Sequence, residues 1–354
     1  MMDSKNENKK IRLGISVGDL NGIGCEVALK CFLDSRMLEF CTPIFFASNK
    51  VISEQIKTLG FDMRFQGVQD AKKAIEGKLN VVNVWKDHFP LSFGSATTEG
   101  GRFAIKSLKA AVDALKKNSI DVLVTAPINK NNIQAKDFTF PGHTDYLNQQ
   151  LEGESLMFMV TEQIKVGLLT DHIAVKDVAN AITTKLIRDK VATILNSLKM
   201  DFGIRKPKIA LLGINPHSGD NGTIGKEDEE IMKPAISSLF KEGHLVYGPY
   251  SADSFFGSQS HLAFDAVLAA YHDQGLIPFK TLSFGQGVNY TAGLSKVRTS
   301  PDHGTAYEIA GKNQADESSF KEAIFTAIRI FKNRREHINL TKNPLKKQDI
   351  KRAG

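Results

Sequence analysis

Two α/β lobes are the predicted architecture. Three observations predict them: a length of 354 residues with 42% hydrophobic and 24% charged content, short Val/Ile/Leu-rich runs recurring along the chain, and segments of helical period lying between those runs. Seven runs read as strands: Ile11 to Val17, Pro43 to Ala47, Val81 to Trp85, Ile120 to Thr125, Val166 to Thr170, Lys208 to Gly213 and Phe264 to Ala270. They are apolar almost throughout, the pattern of a strand buried on both faces. Arg102 to Lys116, Ala181 to Lys199, Glu227 to Glu242 and Ser318 to Lys332 repeat their apolar residues at helical spacing and read as amphipathic helices. Such alternation argues for parallel sheets covered on both faces. A polar Lys/Asn/Gln stretch at Asn129 to Thr139 marks a lobe boundary. The expected division is a discontinuous first lobe (1–135 with about 275–335), a second lobe (about 136–274) and a basic tail (336–354).

Composition excludes several classes of function. No stretch approaches the roughly 20 uncharged apolar residues of a spanning helix, and Met1 to Lys10 is polar and lysine-rich without an apolar signal core. A soluble, unexported, cytoplasmic protein without a membrane partner is expected. Cys25, Cys31 and Cys41 form an odd set without a C-x-x-C pair, which fits a reducing compartment. Cys25 beside a glycine turn is either a small buried residue or a reactive thiol at a helix start. The net charge of +7 is concentrated between Lys332 and Arg352, where Lys332, Arg334, Arg335, Lys342, Lys346, Lys347, Lys351 and Arg352 face only Glu336 and Asp349. A basic terminus without interleaved aromatics reads as solvated, so nucleic acid is not an expected partner.

The chemistry gathers where strands end. Three apolar runs lead directly into a histidine: Val166-Gly-Leu-Leu-Thr-Asp-His172, Ile209-Ala-Leu-Leu-Gly-Ile-Asn-Pro-His217 and Ala266-Val-Leu-Ala-Ala-Tyr-His272. Open α/β sheets bind ligands beyond the carboxyl ends of their strands. Three imidazoles delivered there could share one divalent ion, or each could be a separate loop residue. Beside His272 stand Asp273 and Lys280; Pro141-Gly-His143-Thr144 exposes another imidazole on a turn; Asn289 and Arg298 add donors suited to phosphate and carboxylate. Gly18-Asp-Leu-Asn-Gly22-Ile-Gly24 follows the first strand and opens a helix, the place of a phosphate-binding turn. It matches neither G-x-G-x-x-G nor the P-loop pattern, so a dinucleotide fingerprint is not supported, and a turn needing no ligand is equally open.

Taken together, Gly18-Asp-x-x-Gly-Ile-Gly24, Thr125-Ala-Pro-Ile-Asn-Lys130, Pro141-Gly-His-Thr-Asp145, Asn215-Pro-His-Ser-Gly219, Tyr271-His-Asp-Gln-Gly275, Gly287-Val-Asn289 and Arg298-Thr-Ser-Pro-Asp-His-Gly-Thr-Ala306 resemble the ordered signature blocks of 4-hydroxythreonine-4-phosphate dehydrogenases. The likeness runs from about Ile11 to about Lys332. It departs at Leu20-Asn21, where the family commonly has Pro-Ala, and at Ala174-Val175, where Pro-Leu is usual.

The resemblance implies an isopropylmalate-dehydrogenase-like fold of two α/β lobes with the active site in the interlobe cleft of a homodimer. It implies a divalent metal (zinc, magnesium or cobalt) held by His172, His217 and His272, two from one subunit and the third from its partner. Substrate contacts are implied at His143, Thr144, Lys280, Asn289 and Arg298, with Asp273 and Lys280 as candidates for taking the hydroxyl proton. The implied reaction is NAD- or NADP-dependent oxidation of 4-phosphooxy-L-threonine to 2-amino-3-oxo-4-phosphooxybutanoate, which decarboxylates to 3-amino-2-oxopropyl phosphate in pyridoxal 5'-phosphate synthesis. Phospho-sugar acids such as 4-phospho-D-threonate or erythronate are the alternative substrates of the same fold, and a phosphate acyltransferase or phospho-metabolite binder is the alternative outside dehydrogenase chemistry. The residues gripping the cofactor are not identified by any motif.

Overall fold

The computed structural model describes residues 10–134 and 138–343. Twelve strands are β1 (Ile11–Ser16), β2 (Cys41–Ala47), β3 (Phe65–Val68), β4 (Leu79–Asn83), β5 (Val122–Thr125), β6 (Gly153–Val160), β7 (Lys165–Leu168), β8 (Lys208–Leu212), β9 (Leu245–Tyr250), β10 (Ala266–Ala269), β11 (Val288–Leu294) and β12 (Val297–Pro301). They form one continuous sheet in the order β3-β4-β2-β1-β5-β12-β11-β6-β7-β10-β8-β9. All seven expected strands are present within a few residues of their predicted ends.

The expectation of purely parallel sheets is corrected in the middle of this order. β11 runs antiparallel to both β12 and β6, and β6 antiparallel to β7. The cause is connection length. Only Ser295 and Lys296 join β11 to β12, and a four-residue turn closed by Thr161 and Ile164 joins β6 to β7; connections this short can link only antiparallel neighbours. The outer strands remain parallel, connected through helices, and are buried on both faces, as β1 and β2 show.

Helix boundaries moved where caps or contacts intervene. The helix Thr98–Lys116 starts before Arg102 because Thr97 accepts the Gly100 N–H, and its first turn lies so close to the chain that a Cβ on Gly101 would stand 1.9 Å from the Asn132 carbonyl oxygen. The segment read from Ala181 to Lys199 breaks at Ile182, after which Thr183 caps the helix Thr184–Met200 through the Leu186 N–H. The segment from Glu227 opens with a π turn, Asp228–Met232, before the helix Lys233–Lys241.

The C-terminal helix runs on from Lys332 to Thr341. Arg334, counted above among the tail cations, is instead buried: its Nε donates to Asp201 Oδ1 at 2.5 Å, Nη1 to the Leu294 carbonyl and Nη2 to Tyr290 Oη. Asp201 Oδ2 also accepts from Tyr290 and Ser197 hydroxyls. Lys346, Lys347, Lys351 and Arg352 lie outside the described residues, as does most of Met1 to Lys10.

The three cysteines are free and buried, which removes the reactive-thiol reading; burial, then the neighbouring Glu26 charge, pushes the Cys25 thiol up to about 12. No helix among the described residues is long and apolar enough to cross a membrane.

Candidate active site

Strand order brings the three histidine-bearing strand ends together. β7, β10 and β8 are consecutive and mutually parallel, so His172, His272 and His217 leave the same edge of the sheet. The rings of His172 and His272 stand 6.1 Å apart, centroid to centroid, tilted by 43°. His272 opens the helix His272–Ser283, and its Nδ1 lies 2.7 Å from Asp273 Oδ1. A carboxylate at that distance fixes the tautomer with hydrogen on Nδ1 and leaves Nε2 available as a ligand.

His217 stands apart. It sits on a turn, Pro216–Gly222, in which His217, Ser218, Asp220 and Asn221 all take positive φ. The turn is anchored by Asp228, which accepts the Ile214 and Asn215 N–H groups. His217 does not line the cleft shared by the other two histidines. Among the described residues, no three His, Cys, Asp or Glu side chains gather into a group able to hold a metal ion. One chain thus offers two imidazoles with the right chemistry for a divalent ion, and a third donor has to be added to complete such a site.

The cleft holding His172 and His272 has a volume of about 590 Å³. His143, Thr144, Lys280, Asn289 and Arg298, separated by up to 155 positions of sequence, all line it; Asp273 does not. Its walls also include Thr125, Lys130, Asp302 and His303, which no role singled out in the sequence although they stand in the quoted blocks at or just beyond the ends of β5 and β12.

Arg298 is the dominant electrostatic feature. It is 2% exposed, and among the described residues its partners are two hydroxyls: Nε and Nη2 donate to Thr125 Oγ1 at 3.0 and 2.5 Å, and Nη1 donates to Thr291 Oγ1 at 3.1 Å. Burial presses its pKa down to about 9, still above neutrality, so the guanidinium stays charged. A buried cation lacking a carboxylate is costly unless an anion arrives.

Its surroundings also wait for partners. His143 is held neutral, its pKa well below the ordinary value because of burial first, then the Arg298 and Lys130 charges, and its Nε2 has no hydrogen-bond partner among the described residues. Asn289 Oδ1 and His303 Nε2 are likewise shielded and unpartnered. Lys280 Nζ lies 3.4 Å from Asp302 Oδ1, and burial raises the Asp302 pKa.

The glycine loop is settled by its hydrogen bonds. Asp19 N–H donates to the Pro127 carbonyl, Asn21 N–H to Asp19 Oδ1, Gly22 N–H to the Asp19 carbonyl and Ile23 N–H to the Thr305 carbonyl. Asp19 Oδ2 accepts from Tyr307 Oη and Asn132 Nδ2 at 2.8 and 2.7 Å. A Cβ on Gly22 would lie 2.6 Å from the Thr305 carbonyl oxygen. Four of the loop's N–H groups are thus spent on the protein's own oxygens, which supports a bracing turn over a phosphate-binding one.

Comparison with known proteins bears on what such a cleft does. The family model described as pyridoxal phosphate biosynthetic protein PdxA matches residues 39–327. A 4-hydroxythreonine-4-phosphate dehydrogenase of Bacteroides thetaiotaomicron is 47% identical over 97% of this chain and 94% of its own length. A putative D-threonate 4-phosphate dehydrogenase of Oceanobacillus iheyensis is 35% identical over 91% of this chain and 98% of its own. The crystal structure of a 4-hydroxythreonine-4-phosphate dehydrogenase from Burkholderia phymatum superposes with a TM-score of 0.75 at 34% identity, covering 91% of this chain and 99% of that one. The isopropylmalate-dehydrogenase-like fold expected above is the one these relatives share.

Proposed function

The chain belongs to the family of the pyridoxal phosphate biosynthetic protein PdxA, and from that membership and the chemistry of the cleft we propose that it oxidises 4-phosphooxy-L-threonine, with NAD as hydride acceptor, to the β-keto acid that loses CO2 to give 3-amino-2-oxopropyl phosphate. It is a dehydrogenase acting on a CH–OH group in pyridoxal phosphate biosynthesis, and NAD(P) use is general to such enzymes. The observation that carries the substrate reading is Arg298: a buried guanidinium with no carboxylate partner among the described residues, opening onto a cleft with Lys280 and Lys130, fits a ligand bearing phosphate and carboxylate.

In this reading Arg298 and Lys280 hold the anionic groups, while neutral His143, Thr144 and Asn289 orient the polar chain by hydrogen bonding. Of the two candidates for the hydroxyl proton, Lys280 lines the cleft, whereas Asp273 is engaged with His272 Nδ1 and serves to fix that imidazole. His172 and His272 supply two ligands to a divalent ion, and the partner subunit's His217 supplies the third. When bound, such an ion contributes Lewis-acid polarisation of the substrate hydroxyl. The β-keto acid then loses CO2 because its electrons flow into the ketone, which nearby cations favour.

A homodimer is supported by a groove of about 440 Å³ beside this edge of the sheet. It is lined by Phe256, Ile277, Pro278 and Leu282, with Asp253 and Asp273 at its sides, and Ile277 is 65% exposed. Mixing two inactive variants tests the shared site. If His217 acts across the interface, combining His217→Ala and Arg298→Ala chains restores activity, because one site of each mixed dimer receives all its native residues. If His217 acts within its own chain, mixing recovers nothing.

Following NADH release from 4-phosphooxy-L-threonine and from 4-phospho-D-threonate tests the substrate. Preferential turnover of the first is expected. Preference for the second moves the protein to the chemistry named for the Oceanobacillus relative, and failure of both with divalent ion present overturns the dehydrogenase assignment.

A further inference from the structure

The Arg298 guanidinium spans three neighbouring strands. Its own strand β12 lies between β5, which carries Thr125, and β11, which carries Thr291. The antiparallel register that sets Tyr290 against Thr299 continues to set Thr291 opposite Arg298. Both threonines are completely buried. Each makes its hydroxyl oxygen an acceptor for the fork, and together they determine where its remaining N–H bonds point.

The donor and acceptor inventory of Thr125 goes further. A hydroxyl has two lone pairs and one hydrogen. Thr125 Oγ1 receives both Nε and Nη2, so its lone pairs are used, and its hydrogen is the capacity left over. Among the described residues no acceptor takes that hydrogen, although Thr125 lines the cleft. On Arg298 and Thr125, which both line the cleft, every unspent group is therefore a donor: the second hydrogens of Nη1 and Nη2 and the Thr125 hydroxyl hydrogen. A cluster of donors around a fixed cation is complementary to an oxyanion and not to an ammonium.

We propose that Thr125 and Thr291 are positioning residues that aim Arg298, and that Thr125 also donates its hydroxyl hydrogen to the phosphate or carboxylate held by that arginine. They are determinants of substrate affinity rather than parts of the hydride-transfer machinery. Valine has nearly the shape of threonine but no hydroxyl, so it leaves the fork buried with unmet N–H groups and free to turn.

The inference rests on the reading of Arg298 as the anion holder, and the experiment separates the two. Steady-state kinetics are measured for Thr125→Val, Thr125→Ser, Thr291→Val and Arg298→Ala, varying substrate and NAD independently, with Tm recorded for each. Thr125→Val is expected to raise the substrate KM about tenfold or more, while kcat and the KM for NAD change less than about threefold. Thr125→Ser, which keeps the hydroxyl, restores a near-native KM. Thr291→Val gives a smaller rise, because one N–H is lost instead of two. If Arg298→Ala leaves the substrate KM unchanged, the reading of Arg298 fails. If Arg298→Ala raises it but Thr125→Val does not, or if serine fails to rescue, the positioning role is wrong and the anion site stands. Equal loss of kcat and of affinity for both substrates in Thr125→Val, with a lowered Tm, would mark the threonine as a structural element and overturn the inference.

Discussion

Two buried arginines touch consecutive residues of the same strand and are completed in different ways. Arg334 reaches Tyr290, and Arg298 reaches Thr291, so alternation along β11 sends them to opposite faces of the sheet. On one face the cation meets the Asp201 carboxylate, a phenol and a backbone carbonyl, and Asn333 adds a bond to the Asp201 carbonyl. On the other it meets two hydroxyls. Both side chains are buried. On the function proposed above, what separates a structural charge from a functional one is whether the described residues themselves supply the counter-charge.

Removing Arg334 is the sharper test of the completed face. Arg334→Ala leaves Asp201 buried without its cation, and a loss of about 3–5 kcal/mol is expected in chemical denaturation. Activity per folded molecule should stay near native, because nothing in this cluster opens onto the cleft. A drop smaller than about 1 kcal/mol would mean that the cluster is dispensable and that Arg334 and Arg298 are not different in kind.

Removing Arg298 should do the reverse. Two charge-assisted contacts to a ligand, at about 1.5 kcal/mol or more each, predict at least a hundredfold fall in kcat/KM for the phosphorylated substrate. Stability should be unchanged or slightly raised, because a buried cation without a counter-charge has been taken out. Marked destabilisation by Arg298→Ala, matching that of Arg334→Ala, would break the contrast.

The sequence showed one of these arginines and misread the other, for a physical reason. Arg298 stands within a recognisable block, and a guanidinium suited to phosphate and carboxylate marks it there. Arg334 lies in a stretch where every neighbour is basic or polar, and nothing local announces that Asp201, 133 positions away, is its partner. The same distinction runs through the fold. Apolar runs bounded by turns disclosed the parallel strands and the three histidines at their ends, because that information is contained in a few adjacent residues. β11 and β12 are not among the runs legible as strands, and their residues stand out only as donors, since polar residues interrupt their apolar pattern. The separation of His217 from His172 and His272 within one chain is written in no local pattern, because it depends on the path of the turn Pro216–Gly222. The glycine loop was ambiguous until its N–H partners were known; their acceptors at Pro127 and Thr305 are remote in sequence.

The smallest predicted effect concerns His143 and probes the unneutralised charge on the cleft face directly. Its pKa in the folded protein is lowered by burial and, secondarily, by Arg298 and Lys130. The unfolded chain takes up a proton near the ordinary value of about 6.5, while the folded one refuses it. The stability this contributes is therefore fully present above about pH 6.5 and declines as pH falls below it, by up to about 1.4 kcal/mol per pH unit for one group. His261 and His303 are also lowered, chiefly by burial, and add to the same slope. His143→Gln should make the acid-side decline of stability shallower without changing stability above pH 7. The charge contribution distinguishes the two faces: inorganic phosphate bound at Arg298 would offset part of the repulsion felt by a protonated His143. The wild-type slope should therefore be shallower in phosphate than in chloride of equal ionic strength, and Arg298→Ala should abolish that difference. An identical slope in both salts would mean that no anion collects on the uncompleted arginine, and the distinction between the two faces of β11 would have to be abandoned.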